Sequence, residues 1–203
     1  MRRHFSPLLF SGLLVLLAFP RSAASQTVAL YVSNYRNSPI QGVILSTKSD
    51  GSTSAPTDVA GKTRVVLPSG IQPGDSLDLS LVSAPDKKMR IVSPWSGRAT
   101  VPKSTGFIDI VLGVPGDQLA LKDPRVVASW ANAIVLANEN DTTLAGPSDA
   151  KRSKTLRTFS EKAGFAPEQI DSSIRKLANS GDPGQHSAAT AYLSQYPEPP
   201  KMF

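Results

Sequence analysis

Few side chains in this 203-residue sequence have the types and spacing that catalysis demands. There are two histidines, His4 and His186. A serine nucleophile needs an imidazole beside it and a buried carboxylate to orient that ring. Serines are abundant, but none stands in a G-x-S-x-G elbow, and His186 reads as a polar residue on a helix surface. Histidine ligation of a metal requires a second histidine close by, which is lacking. The absence of cysteine removes thiol nucleophiles, thiolate zinc sites and iron–sulfur clusters. Calcium asks only for oxygens, and "SDGSTS" (49–54) and "NENDTT" (138–143) supply them without the regular D-x-D/N-x-D-G spacing of a calcium loop. Turn composition accounts for both. No pair of carboxylates suggests glycoside hydrolysis. The expectation is a non-enzymatic protein with no catalytic residue, no cofactor and no metal.

Binding is a different matter. Trp95, in "SPWSGR" beside Arg98, has the character of a loop tryptophan, able to stack on a sugar or to enter a partner's pocket. Burial against the protein itself is the competing account. Trp130 falls on an apolar helical face and is expected in the core, where helices meet strands. Trp95 and Arg98 are therefore the candidate ligand contacts.

Compartment follows from the first 25 residues. Arg2 and Arg3 precede the apolar "PLLFSGLLVLLAF" (7–19), Pro20 breaks it, and "RSAAS" offers small residues for cleavage after Ala24 or Ser25. This is the layout of a secretory signal peptide, and its apolar run is shorter than the roughly 20 residues of a membrane span. No transmembrane segment is expected after cleavage, and the destination is the periplasm or the extracellular space. Of the 22 basic residues, Arg2, Arg3 and Arg21 belong to this leader, together with none of the 16 acids, so the remainder carries a net charge of about +3. A scattered excess of this size is a solvated surface rather than a nucleic-acid stripe. Without disulfides an exported chain must be held by its apolar core.

Positioning falls first to strands. From Gln26 to Gly113 the apolar period is two: "TVALYVS" (27–33), "IQGVILST" (40–47), "TRVVLP" (63–68), "SLDLSLVS" (76–83), "MRIVSP" (89–94), "ATVP" (99–102) and "GFIDIVLG" (106–113). Short strands punctuated by Gly and Pro turns predict a sandwich or barrel. Asp50-Gly51 marks one turn. Thr57, Asp58 and Gly61 mark another, read as a hairpin in which Asp58 accepts backbone N–H groups and Gly61 takes a left-handed conformation.

The succession Pro39-Ile40-Gln41-Gly42-Val43, then Thr57-Asp58 with Gly61, then "FIDIVLG" resembles the carboxypeptidase regulatory-like (transthyretin-like) family over residues 26–115. The resemblance implies a seven-stranded antiparallel Greek-key sandwich serving as an accessory module, in a family that includes binders of carbohydrate or protein partners. The proline-rich middle departs from that pattern and leaves the fifth and sixth strands in question.

From residue 116 onward the period becomes helical. Asp123 can cap a helix that starts at Pro124, with Val126, Val127, Trp130, Ala131, Ile134 and Val135 on its apolar face. A loop over "NDTTLAGPSD" precedes a second helix over about 148–163, with Leu156, Phe159 and Ala163 inward and Gly164 as terminator. A third begins at Pro167, turns Ile170, Ile174, Leu177 and Ala178 inward and ends at Gly181. "DPGQHSAATAYLSQY" makes a fourth. "GFAPEQIDSSIRKLAN" and "AATAYLSQYPEP" are similar to the segment preceding tetratricopeptide repeat arrays in exported bacterial proteins, with Ala189, Ala191, Tyr192, Tyr196, Pro197 and Glu198 standing where the first repeat helix and its turn would be. Pro199-Pro200 disfavour a return helix, so the resemblance implies a truncated relative without a working solenoid.

The fold class expected is thus α+β: a signal peptide at 1–25, a sandwich at 26–115 and a small all-α segment of three or four helices at 116–203. The function expected is an exported interaction module for a protein partner in the cell envelope, with polysaccharide binding as the alternative.

Overall fold

The computed structural model describes residues 26–140, 149–179 and 182–199, so residues 1–25, where a signal peptide is expected, the whole of 141–148, Gly181 and Pro200 lie outside the described residues. Over the described residues the fold is mixed α+β, with seven strands in two sheets and four α-helices.

Alternation of apolar and polar residues explains the strands. In β1 (Thr27–Ser33), Val28, Leu30 and Val32 are buried and Thr27, Ala29 and Tyr31 less so, while Ser33 at the strand's end is buried as well. The others are β2 (Ile44–Thr47), β3 (Lys62–Val66), β4 (Ser76–Ser83), β5 (Arg90–Ser93), β6 (Arg98–Thr100) and β7 (Phe107–Gly113). One sheet has the order β3-β1-β7-β5 and the other β2-β4-β6. Residues from both sheets, among them Leu30, Leu45, Val65, Leu79, Ala99 and Ile110, share one apolar cluster. Each pleated face removes its alternate side chains from water, worth roughly 25 cal/mol for every Å² of apolar surface buried.

An all-antiparallel arrangement is incorrect. β1 and β7 run parallel, with Leu30 opposite Ile108 and Val32 opposite Ile110. Parallel neighbours need a long crossover between them, and here the five intervening strands supply it.

The turn at 57–61 also differs from the expected hairpin. It carries the chain from β2 in one sheet to β3 in the other. Its local chemistry is as expected: Asp58 Oδ1 accepts from the backbone N–H groups of Ala60 (2.9 Å) and Lys62 (2.8 Å). Gly61 has φ +71°, and a Cβ there would run into the Val32 carbonyl oxygen and lie 2.9 Å from Pro39 Cβ. Thr57 acts as a clamp instead of a turn residue. Its buried hydroxyl donates to the Ile40 carbonyl (2.6 Å) and accepts from the Val43 N–H (2.9 Å). That clamp, with Gly42 at φ +78°, explains why β2 begins at Ile44 and not at Ile40. Asp50 orders the other turn, bonding the Thr47 hydroxyl and accepting from Ser52 N–H at 3.0 Å, with Gly51 at φ +71°.

The helices are α1 (Pro124–Asn140), α2 (Asp149–Ala163), α3 (Pro167–Leu177) and α4 (Pro183–Gln195). Asp123 Oδ1 accepts from Arg125 N–H at 2.9 Å and so caps α1. Gly164, at φ +79°, follows α2. On α1 the buried residues are Val126, Val127, Trp130, Ala131, Ile134 and Asn138. The helices pack on one another and on the outer face of β5 and β7, because Val92 and Val111 belong to the same apolar cluster as Trp130, Phe159, Ile170 and Tyr192. Val92 and Val111 therefore join the two parts of the chain. At the far end, Tyr192 and Tyr196 stack at 4.4 Å and are fully buried. The Tyr192 hydroxyl and Arg175 Nε both donate to Asp171, at 2.9 and 2.8 Å. Helix α4 thus turns its aromatic side inward against this chain's own helices. No helix among the described residues is long and apolar enough to cross a membrane.

Candidate functional site

The segment between β5 and β6 decides where the candidate residues lie. Residues 95–97 form a single 3-10 turn in which Ser96 and Gly97 both have positive φ, 59° and 76°. A non-glycine residue in the left-handed region stores strain that its surroundings must hold in place. The holding contacts are visible. The Trp95 backbone N–H donates to Ser129 Oγ of α1 at 2.6 Å, and Ser93 Oγ donates to the Arg125 carbonyl at 3.3 Å. A Cβ on Gly97 would meet the Leu79 carbonyl of β4, so only glycine lets the turn lie this close to the strand.

Trp95 is therefore not a freely exposed loop residue. Its half-buried ring lies on Phe159 of α2, with ring centroids 4.2 Å apart and planes inclined at 35°. Trp130 sits deeper, fully buried against Phe159 and Phe165. This is the helix–strand junction that its position on α1 predicts.

Arg98 lies on the surface of β6 and forms two bonds to Asp78 of β4, Nε to Oδ1 at 2.9 Å and Nη2 to Oδ2 at 3.2 Å. The hydrogen bond from Arg98 is the main influence holding the Asp78 carboxyl below its usual range, against slight burial and with help from the charges of Arg98 and Lys48.

Trp95 and Arg98 line one cleft of about 690 Å³ between β6, β7 and the outward side of α1. Asp78 and Lys48 stand along its sheet side, and Lys48 Nζ donates to the Ser96 carbonyl at 3.2 Å. Asn132 and Leu136 come from α1 and Phe107 from β7. Phe107 and Leu136 are 57% and 52% exposed, large apolar side chains left in water on either side of the opening. Phe107 stands opposite the inward Ile108 in the strand alternation, and Leu136 lies off the buried face of α1. Those two departures from pattern are the sequence signal that marks them.

Arg125 closes one end. Its guanidinium donates to Asp123 Oδ2 (2.7 Å), Ser33 Oγ (2.9 Å), Asn37 Oδ1 (2.9 Å) and the Asn34 carbonyl (3.0 Å), with Asp109 Oδ2 at 3.4 Å. Burial opposes its charge, but bonds to Asp123 and the nearby carboxylates outweigh this and strengthen its hold on the proton. Burial acts the other way on Asp109 and raises its carboxyl above the usual range despite Arg125. One of its oxygens is buried without a hydrogen-bond partner. Arg125 fastens α1 to the sheet and leaves Asp109 incompletely bonded at the cleft wall.

Asp50, Gly51, Thr57, Asp58 and Gly61 are not among the lining residues of this cleft, and they act in folding. Among the described residues no group of three His, Asp or Glu side chains is placed to hold a metal ion. The cleft brings together one half-buried indole, two exposed apolar side chains and a charged margin. No protein-family model matches the chain, nor does any curated protein or any solved structure.

Proposed function

We propose that the protein is a non-enzymatic, exported interaction module, and that the cleft between β6, β7 and α1 receives a protein partner in the cell envelope or outside the cell. In this reading the two sheets form a Greek-key sandwich of the carboxypeptidase regulatory-like kind, used as a scaffold, and the helices form one wall of its binding surface. The observation that carries it is the pair Phe107 and Leu136, both more than half exposed across one opening. Apolar anchors inside a polar margin are the usual anatomy of a protein interface. Export rests on the layout of residues 1–25.

The test places a photo-crosslinking residue at 107 or 136 in the full chain, with exposed Val82 as control. A discrete adduct with one envelope protein from both cleft positions, absent at 82, supports the reading. Equal labelling at all three positions, or none, overturns it. Fractionation of cells that express the chain with and without residues 1–25 tests export separately.

Polysaccharide binding is the second reading, favoured by Asp78, Arg98 and Asn132 lying in the same cleft as an indole ring. Phe159 already covers part of that ring, which weakens a sugar-stacking role for Trp95. Retention on an insoluble polysaccharide, lost in Asn132→Ala, supports this alternative, and no retention on any polysaccharide removes it.

A further inference from the structure

A second cavity, of about 230 Å³, opens on the other side of the Trp95 turn, where the sheet meets the helices. Its walls include Trp130, Phe165, Val92 and Ala163, all buried in the core that joins the two parts of the chain. Trp95 is shared between this cavity and the larger cleft. The charged lining residues are Arg90, at the start of β5, and Lys162, in the last turn of α2. Both are exposed. Among the described residues no carboxylate lines the cavity, and Asp117, whose charge reaches Tyr35 on the wall, is not among its lining residues. Arg90 Nη1 is fixed by the carbonyls of Lys87 and Met89, both at 2.7 Å, so its guanidinium is oriented before anything binds.

An aromatic-walled recess with two cations and no anion discriminates among small molecules. It favours a single ring or branched aliphatic body whose one negative group stays near Arg90 and Lys162. Neutral molecules of the same shape gain only the apolar contact, and cations meet like charge. Burying a ring against aromatic walls is favourable in proportion to the apolar area taken from water, and a partly desolvated ion pair adds to it. We propose that this cavity is a binding site for a small amphipathic carboxylate. This is a site separate from the partner cleft, and it stands whether or not the cleft takes a protein.

Both tryptophans of the chain line the cavity, so the protein reports on its own occupancy. The full chain is titrated with phenylacetate, with its neutral amide phenylacetamide and with phenethylamine, following tryptophan emission and the two indole N–H resonances. The expected result is a saturable change with phenylacetate, binding about tenfold more tightly than the amide, and no saturation with the amine. In Lys162→Gln and Arg90→Gln, both at exposed positions, the preference for the acid shrinks toward one while amide binding persists. No saturable response to any of the three compounds overturns the site. Equal affinity for acid and amide, or an acid preference that survives both substitutions, overturns the role of the two cations.

Discussion

The phenol of Tyr35 lies across Gly113, its hydroxyl oxygen and ring carbons filling the space in which a Cβ would stand, and it donates to the Val114 carbonyl at 3.1 Å. The last residue of β7 is therefore a glycine for reasons of space. Gly113→Ala must expel the ring, and an unfolding free energy lower by about 2 kcal/mol or more is expected from urea denaturation. Tyr35→Ala removes the obstacle, so the double variant should lose clearly less than the two single losses added together. Additive losses would show that the ring and the glycine act independently.

Thr57 makes a second stability prediction. Its hydroxyl joins the Ile40 carbonyl and the Val43 N–H inside the protein. Thr57→Val leaves the buried Val43 N–H without that partner, at a cost of about 1–3 kcal/mol. Thr57→Ser keeps the oxygen and should recover most of the loss. Chemical denaturation of both variants checks the contrast.

Trp95 and Arg98 should separate cleanly. Trp95→Ala removes a ring stacked on Phe159, and a loss of about 2–4 kcal/mol is expected, as for other truncations of packed aromatics. Arg98→Ala breaks an ion pair between exposed side chains, so no measurable change in the unfolding midpoint is expected. Thermal and urea unfolding of each variant measure the difference.

Alkaline pH is the fourth case. Burial, chiefly, pushes the phenols of Tyr35 and Tyr196 up to about 12 from an ordinary value of 10.0. Both raised values belong to the folded state, so between pH 10 and 12 the unfolded chain loses these protons first. Stability is unaffected below that window and falls across it, by at most about 1.4 kcal/mol per pH unit for each tyrosine. Unfolding free energies measured from pH 9 to 12 check the slope, which should lessen in Tyr35→Phe and in Tyr196→Phe.

Much of this molecule is local, and what is local can be read from sequence. Val28, Leu30 and Val32 alternate because one face of β1 is buried, and Asp123-Pro124 begins α1 because an acceptor and a fixed φ suit a helix start. Pairing is not local. A period of two does not say which strand lies beside which, so the parallel union of β1 with β7 was not legible. The bend at Asp58 and Gly61 looks the same whether it closes a hairpin or crosses between sheets. Trp95 depends on Phe159, far along the chain, and Arg125 draws its acceptors from Ser33, Asn34 and Asn37. The cleft was out of reach for the same reason, since it exists only once α1 lies beside β6 and β7.

The parallel register of β1 and β7 also has a mechanical meaning. The chain enters this pair at Thr27 and leaves at Gly113, at opposite ends of two strands pointing the same way. Tension between residue 26 and the helices slides one strand along the other and loads all their hydrogen bonds together, instead of unzipping them in turn. Single-molecule pulling from those points should show a higher rupture force than pulling across the antiparallel β5–β7 pair from its open end. A protein held at one side and tugged at the other resists best along that line.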